Sequence, residues 1–422
     1  MSVLGRYKYS KNYRKLLIAC CMFYLLSFAI KLVYTCQLQA IIDDFKTTRA
    51  QASLGLTIYY FVYAVAQIVL GIFILKINMR NFLLITSLMS AISFSMIGLT
   101  DNLTVVWVIF GLNGILQSGS VGGIMYIFAK YLPNETLSYA NKVLATGSTI
   151  GNSLTYLISA IFVEFLSWKY TFVFFGVFLF ASVVYMFIQV KTMDKILKNN
   201  DEYSFEFDTS KDKKTSFVIP QGIKFDVTLL MTFIIVVSFF INCLAYGIGN
   251  WIPSLLKDIH GFPTSLSILL TMFMPIISMV AGIVMYNSFD KSGKIITKTG
   301  VLSLITLGLL LLMVFGYTWN FAFALIMCAL LKFIPTCISS GYGSYTTMKL
   351  KYYINSGTSS LIANAGAAIA AGLMPFITGY IMDTFGWQSY YIVMSGMCFI
   401  LVALIFVGRC IVQKRANITK WF

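Results

Sequence analysis

Charge is scarce in this 422-residue chain: Asp, Glu, Lys and Arg make up 11% of it, against 59% hydrophobic residues and a mean hydropathy of +0.83. A water-soluble fold is thereby excluded, because too little polar surface exists to cover one. Histidine occurs once, as His260, in a polar stretch rather than within an apolar run. None of the fifteen acidic residues lies deep in an apolar run; Asp43, Asp44, Asp101, Glu164, Asp258 and Asp383 fall at run ends or in the loops between them. The chain therefore lacks the buried carboxylate or imidazole that a membrane proton relay normally uses. Eight cysteines are present (Cys20, Cys21, Cys36, Cys243, Cys328, Cys337, Cys398 and Cys410), all in or at the ends of apolar runs and without metal-ligand spacing. They read as small hydrophobes, and no metal site is expected. No Ser/His/Asp set or pair of buried carboxylates is visible, so an enzyme is not expected and no cofactor is implied.

What the chain has in quantity is long apolar runs. At about twenty residues per membrane crossing, twelve spans are expected, at 16–40, 50–75, 81–100, 104–129, 138–163, 168–190, 226–256, 264–288, 295–317, 319–347, 355–382 and 387–409. The expected class is an all-α polytopic membrane protein. The first run is too long for the core of a signal peptide and lacks a small-residue cleavage site, so it reads as a retained helix. The formal net charge of +16 would suggest nucleic acid in a soluble protein, but here its placement sets orientation. Cytoplasmic loops collect Lys and Arg. With both termini inside, 25 of the 31 basic residues fall on the cytoplasmic side, and only Lys46, Arg49, Lys169 and Lys257 fall outside. A multi-pass protein of the cytoplasmic membrane with both termini cytoplasmic is expected, with the lipid bilayer as a partner and nucleic acid excluded.

One polar stretch, residues 191–225, mixes both charge signs with few large apolar residues and reads as a cytoplasmic linker. It divides the chain into an N-terminal six-helix bundle (1–190) and a C-terminal one (226–422). The halves echo each other: Glu164 and Trp168 in EFLSWKYTF match Asp383 and Trp387 in DTFGWQSYY at an offset of 219 residues. LKINMR from Leu75 and DKSGK from Asp290 match at an offset of 215. Nearly equal offsets about a central linker argue for duplication, and two parallel six-helix repeats around a midplane cavity are a transporter plan.

Two lysines remain unexplained by loops or ends. Lys31 lies in LLIACCMFYLLSFAIKLVYTCQLQAII and Lys332 in FAFALIMCALLKFIPTCISSGYGSY. A charge at such depth costs about 2.5 to 3.5 kcal/mol on insertion scales, so a functional role is the default. With no acid at depth to pair them, an anionic ligand is the expected counter-charge. The alternative is that either lysine snorkels to an interface or pairs with backbone carbonyls. Tyr34, Asn113, Gln117, Tyr126, Asn242, Tyr246, Asn250, Trp251 and Tyr342 are softer candidates, each weighed against ordinary interhelical packing. Tyr59, Tyr60 and Tyr63 on the second span are similar. Small residues cluster in GLNGILQSGSVGG, ATGSTIG and ANAGAAIAAG, where helix backbones can approach closely. Pro335 and Gly341 can bend the helix that carries Lys332.

The sequence resembles the major facilitator superfamily. That family's loop signature, G-x-x-x-D-R/K-x-G-R/K, is matched in eroded form over Gly71 to Arg80, with Leu75 at the Asp position, Lys76 kept and Arg80 one residue past the final basic position. A second copy keeps Asp290, Lys291, Gly293 and Lys294, with Tyr286 at the leading position. GYIMDTFGW, Gly379 to Trp387, is similar to the family's junction of helices eleven and twelve. The resemblance implies the major facilitator fold, two six-helix bundles whose first, fourth, seventh and tenth helices line a central cavity. It also implies that Lys76, Arg80, Asp290, Lys291 and Gly293 take part in conformational gating. Within the superfamily the pattern is most similar to the organophosphate:phosphate antiporter branch. Phe28-Ala-Ile-Lys31-Leu-Val-Tyr34 stands where that branch carries a substrate arginine, Tyr63 to Gly71 resembles its second helix, and Tyr246 to Pro253 its seventh.

The resemblance implies a secondary active transporter working by alternating access on a small-molecule substrate. The residues make that substrate an organic anion, phosphorylated or carboxylated, with exchange as an expected mode. The expected substrate-binding residues are Lys31, Lys332, Tyr34, Gln117, Tyr246, Asn250 and Trp251, in a monomer. An uptake carrier for an amino acid or other zwitterionic nutrient is the alternative.

Overall fold

A computed structural model describes residues 10–73, 77–198, 221–292, 295–350 and 356–414. Among these the secondary structure is helical, with no strand. In chain order the helices are α1 (Ser10–Phe45), α2 (Arg49–Phe73), α3 (Met79–Ile97), α4 (Leu103–Gln117), α5 (Ser120–Tyr131), α6 (Leu137–Phe165) and α7 (Trp168–Lys198), then α8 (Gln221–Gly249), α9 (Ile252–His260), α10 (Thr264–Thr271), α11 (Met274–Ser292), α12 (Ile295–Gly316), α13 (Phe321–Leu350) and α14 (Ser356–Lys414). The expected spans fall on these in order, some as one helix and some as a broken pair.

Nine helices among the described residues are long and apolar enough to cross a membrane, or ten if α8 and α9, bent by 42° at their break, are one span. Two features lower that count below the number of expected spans. α14 is two helices fused across Gly386, whose φ of 80° and ψ of 179° interrupt the helix at a conformation that favours glycine. α6 has 29 residues, but its middle, ATGSTIGNSLT, dilutes the hydropathy with Ser, Thr, Gly and Asn. Helix starts follow local chemistry where the chain turns sharply. The side chain of Asn78 caps α3 by accepting from the Asn81 N–H, and that of Asn102 caps α4 by accepting from Thr104 and Val105. α9 begins with Pro253 in its first turn and stops at Gly261, with φ of 70°.

The chain groups into two compact units: Met1–Ala40 with Ile58–Lys213, and Ile41–Thr57 with Lys214–Phe422. Residues 41–57 thus group with the second unit rather than with their sequence neighbours. α7 continues as helix into the polar stretch, through Lys198, and residues 199–220 lie outside the described ones.

In the first unit an aromatic column forms the packing axis. Tyr63 stacks on Tyr59 (centroids 6.0 Å apart), Tyr59 on Phe110 (4.6 Å) and Phe110 on Tyr34 (4.5 Å), and the edge of Phe172 closes on Tyr34 at 6.4 Å. α2 and α4 come close enough for this because of Gly114: a Cβ there would lie 2.5 Å from the Tyr59 carbonyl oxygen. Between α3 and α4 runs a buried polar chain. Gln117 Nε2 donates to Ser90 Oγ (2.7 Å), Ser90 Oγ to Asn113 Oδ1 (2.7 Å), and Asn113 Nδ2 to Ser93 Oγ (3.1 Å) and the Ile109 carbonyl (3.0 Å). Ser120 Oγ donates to Gln117 Oε1 at 2.7 Å. At one end of this unit Asp194 gathers Arg80, the Tyr131 hydroxyl (2.7 Å) and Lys130 (4.0 Å), and Lys169 pairs with Asp101 elsewhere.

In the second unit Arg49, the first residue of α2, pairs with Asp258 of α9 and, at 3.0 Å, with Asp383 of α14. The other Asp383 oxygen accepts from the Ala50 N–H at 3.0 Å, so one carboxylate caps α2 and neutralises its arginine. Lys257 pairs with Asp43, and Thr57 Oγ1 donates to the Gly372 carbonyl at 2.7 Å. These bonds attach residues 41–57 to the second unit.

Ser90 is the hub of the α3–α4 chain and is fully buried. Ser90→Ala leaves Gln117 and Asn113 each one bond short in a buried site, at a cost of about 1 to 3 kcal/mol. A fall in the melting temperature of the purified protein is expected; an unchanged melting temperature contradicts the hub role.

Candidate functional site

Lys31 and Lys332 are half-buried, and among the described residues neither is ion-paired. Their surroundings differ and are taken unit by unit.

In the first unit the ammonium of Lys31 lies over two aromatic rings, Phe28 at 4.8 Å and Tyr63 at 4.5 Å from the centroids. It donates to the Tyr63 hydroxyl at 3.3 Å, and Gln67 Nε2 donates to the same oxygen at 2.8 Å. Phe28 is held in turn by Tyr24, at 4.6 Å between centroids. Exposed cation–π contacts contribute about 0.5 to 1 kcal/mol each and more when desolvated, which offsets part of the cost of the buried charge. Hydrogen bonding is less complete. An ammonium has three N–H donors, and one of them has a partner among the described residues. The Tyr63 oxygen accepts from two neighbours, which leaves its own O–H as a further donor. Lysine N–H groups and a tyrosine O–H thus lie together beside aromatic rings, a donor set suited to the oxygens of an anion.

In the second unit Lys332, on α13, donates to the Ala245 carbonyl at 3.2 Å and lies 5.9 Å from the centroid of the Tyr246 ring. Both partners belong to the last turns of α8, where the helix dipole favours a cation. The sequence leaves backbone pairing open beside a substrate role for this lysine, and one of its N–H donors has a backbone partner.

The remaining sequence candidates are placed as follows. Tyr34 is fully buried in the aromatic column. Gln117 is fully buried, with its amide engaged on Ser90 and Ser120. Trp251 is 1% exposed, and its Nε1–H donates to Thr378 Oγ1 at 2.8 Å. Tyr246 and Asn250 are half-buried at the α8 end, and the Asn250 N–H bonds back to the Tyr246 carbonyl at 3.3 Å. Among the softer candidates, Asn113 belongs to the α3–α4 chain, and Asn242 bonds to the Ser238 carbonyl (2.8 Å) and accepts from Ser339 (3.2 Å). The side chain of Tyr342 lies outside the described residues.

Of the gating candidates, Arg80 pairs with Asp194. Lys76 and Gly293 lie outside the described residues, and Asp290 and Lys291 fall in the last turn of α11 with their side chains outside the description. Tyr63 is a softer candidate of the sequence and Gln67 only part of a helix pattern there; Tyr63 meets Lys31 directly, and Gln67 holds the Tyr63 hydroxyl. Their four-residue spacing on α2 puts both on one face, but nothing local in the sequence indicates which face meets α1.

A sequence profile for the Major Facilitator Superfamily matches residues 16–360. Among curated proteins, the chain is 20% identical over 388 residues to a probable sulfoacetate transporter, SauU, of Cupriavidus necator, with 89% of each sequence covered. Among solved structures, it resembles a bacterial homolog of the human lysosomal transporter Spinster in an inward-facing, unoccupied conformation. The TM-score is 0.78 at 14% identity, covering 95% of this chain and 97% of that one. The nucleoside transporter NupG gives a TM-score of 0.70 at 13% identity, covering 93% and 98%.

The bond between Trp251 and Thr378 makes Trp251 part of the helix packing of the second unit. Thr378→Val keeps the shape and removes the acceptor, leaving a buried indole N–H unpaired at a cost of about 1 to 3 kcal/mol. A lower melting temperature is expected, and wild-type stability in this variant contradicts the assignment.

Proposed function

The chain belongs to the major facilitator superfamily of membrane transporters, and from that premise we propose that it carries a small organic anion across the cytoplasmic membrane by alternating access. The observation that supports this reading best is the donor set around Lys31: a charge within a long apolar run, without a carboxylate partner among the described residues, beside a tyrosine hydroxyl. Such donors recognise a carboxylate, phosphate or sulfonate group. The name of the Cupriavidus necator relative, which specifies a compound bearing both a carboxylate and a sulfonate, agrees with that class. Lys332, Tyr246 and Asn250 are proposed as the polar contribution of the second unit. Tyr34, Gln117 and Trp251, expected at the same site, contribute to it in our reading by holding the helices that carry these groups. Membership of the organophosphate:phosphate antiporter branch remains part of the proposal, supported by the placing of Lys31, Tyr63 and Gln67 on the first two helices.

Exchange is the proposed mode. Lysines in apolar runs without counter-charges among the described residues are costly to reorient unliganded, and a bound anion neutralises them. The orientation proposed is both termini cytoplasmic, from the lysine and arginine bias of the loops. An amino acid carrier is the second reading. It is favoured by one observation: Lys332 is already engaged with a carbonyl, so a single carboxylate on the substrate would satisfy the more open lysine.

Two experiments test the reading. A thermal-shift screen of carboxylates, sulfonates, organic phosphates and amino acids against the purified protein is expected to find an anion that raises the melting temperature. Lys31→Gln then raises the concentration of that anion needed for half-maximal shift by about 10- to 100-fold, the equivalent of a charged hydrogen bond of about 1.5 to 3 kcal/mol. Stabilisation by neutral or cationic compounds alone, or an unchanged Lys31→Gln response, contradicts the anion assignment. For exchange, uptake of the same compound into proteoliposomes is expected only when substrate is present inside, and robust uptake into empty vesicles contradicts it.

A further inference from the structure

Within the second unit, the C-terminal end of α8 is a backbone problem. α8 stops at Gly249 and α9 starts at Ile252 with a 42° change of direction. A helix that breaks inside an apolar run leaves carbonyls that must be satisfied by something other than the next turn. Four successive carbonyls at this end have identifiable partners, three of them outside the i→i−4 ladder. Ala245 accepts from the Lys332 ammonium at 3.2 Å, and Tyr246 from the Asn250 N–H at 3.3 Å. Gly247 accepts from the Tyr390 hydroxyl at 3.1 Å, and Ile248 from the Trp251 N–H at 3.3 Å. Two of the four partners are local backbone and two are side chains from other helices. Of those two, Tyr390 is a neutral, fully buried ring, whereas Lys332 is the one charge, and a cation at a helix C-terminus also gains from the helix dipole.

The seat for that cation is made by a missing side chain. A Cβ on Gly249 would lie 2.6 Å from Lys332 Nζ and 3.3 Å from its Cε. Any residue but glycine there requires the ammonium to shift from its seat. Because the displaced atoms are the far end of a flexible side chain, the helices themselves need not move.

We propose that Lys332 is the pin that holds the break between α8 and α9 in its bent form, with Gly249 as the positioning residue that seats it. The bend is fixed while the ammonium stays on Ala245 and is released when it leaves. The pin rests on backbone geometry and not on the nature of the substrate. One consequence does rest on the anion reading given above: an anionic group that reaches Nζ competes with the Ala245 carbonyl, so that binding and the release of the bend are the same event.

Hydrogen–deuterium exchange on the full-length protein in lipid nanodiscs, with no ligand added, tests the pin. Amides of residues 246–252 are expected to exchange about tenfold faster or more in Lys332→Met than in wild type, while those of 321–331 on α13 keep their rate. Gly249→Ala keeps the lysine and is expected to give the same local acceleration. The double variant is expected to exchange no faster than Lys332→Met alone, since Gly249 acts through the lysine. Wild-type exchange at 246–252 in Lys332→Met overturns the pin, and additive acceleration in the double variant overturns the role of Gly249. If Lys332→Met also loosens 321–331, the variant has lost its fold and Gly249→Ala decides: acceleration confined to 246–252 supports the pin, and none overturns it.

Discussion

An ammonium carried into the apolar length of a membrane helix must be satisfied by what the neighbouring helices offer, and that requirement organises both units of this protein. The two lysines meet it by different means. Lys31 is held by the faces of Phe28 and Tyr63 and by one hydroxyl, contacts that stabilise a cation without using up its donors. Lys332 is held by a carbonyl at the end of a broken helix, where dipole and hydrogen bond act together. The first arrangement leaves an open donor set and the second keeps a bend in place. A transporter needs both a place for cargo and an element whose shape can change, and in the reading proposed here each is built around a lysine.

Other polar groups are kept out of this work by being paired among themselves. The α3–α4 chain consumes Asn113 and Gln117, Asp194 gathers Arg80, Lys130 and Tyr131, and Asp383 both neutralises Arg49 and caps α2. Each removes a polar group that would otherwise add cost in an apolar setting. The ion pairs lie at helix ends, where partial solvation lowers both their cost and their strength.

Much of this was legible in the sequence. Composition and run length specify the helical membrane class, and the two buried lysines stand out because so little else at depth is charged. The run at 104–129 reads as one span, while the chain breaks it at Ser118–Gly119, because apolar length records thickness and not continuity. The attachment of residues 41–57 to the second unit was not visible, since Arg49 meets partners 209 and 334 positions away. Tyr34, Gln117 and Trp251 show a second limit. Tyrosine, glutamine and tryptophan suit a ligand and suit a helix interface equally well, and only packing direction separates the two uses. Gly249 was one glycine among 30 until a lysine from another helix was found against it.

The central claim is that the open donors of Lys31 receive the substrate's anionic group. A structure determined with the stabilising anion bound tests it most directly. The account predicts an anionic oxygen within about 3 Å of Lys31 Nζ and within hydrogen-bond reach of the Tyr63 hydroxyl. An anion bound elsewhere, with Lys31 still resting on Tyr63 and Phe28 alone, would contradict it.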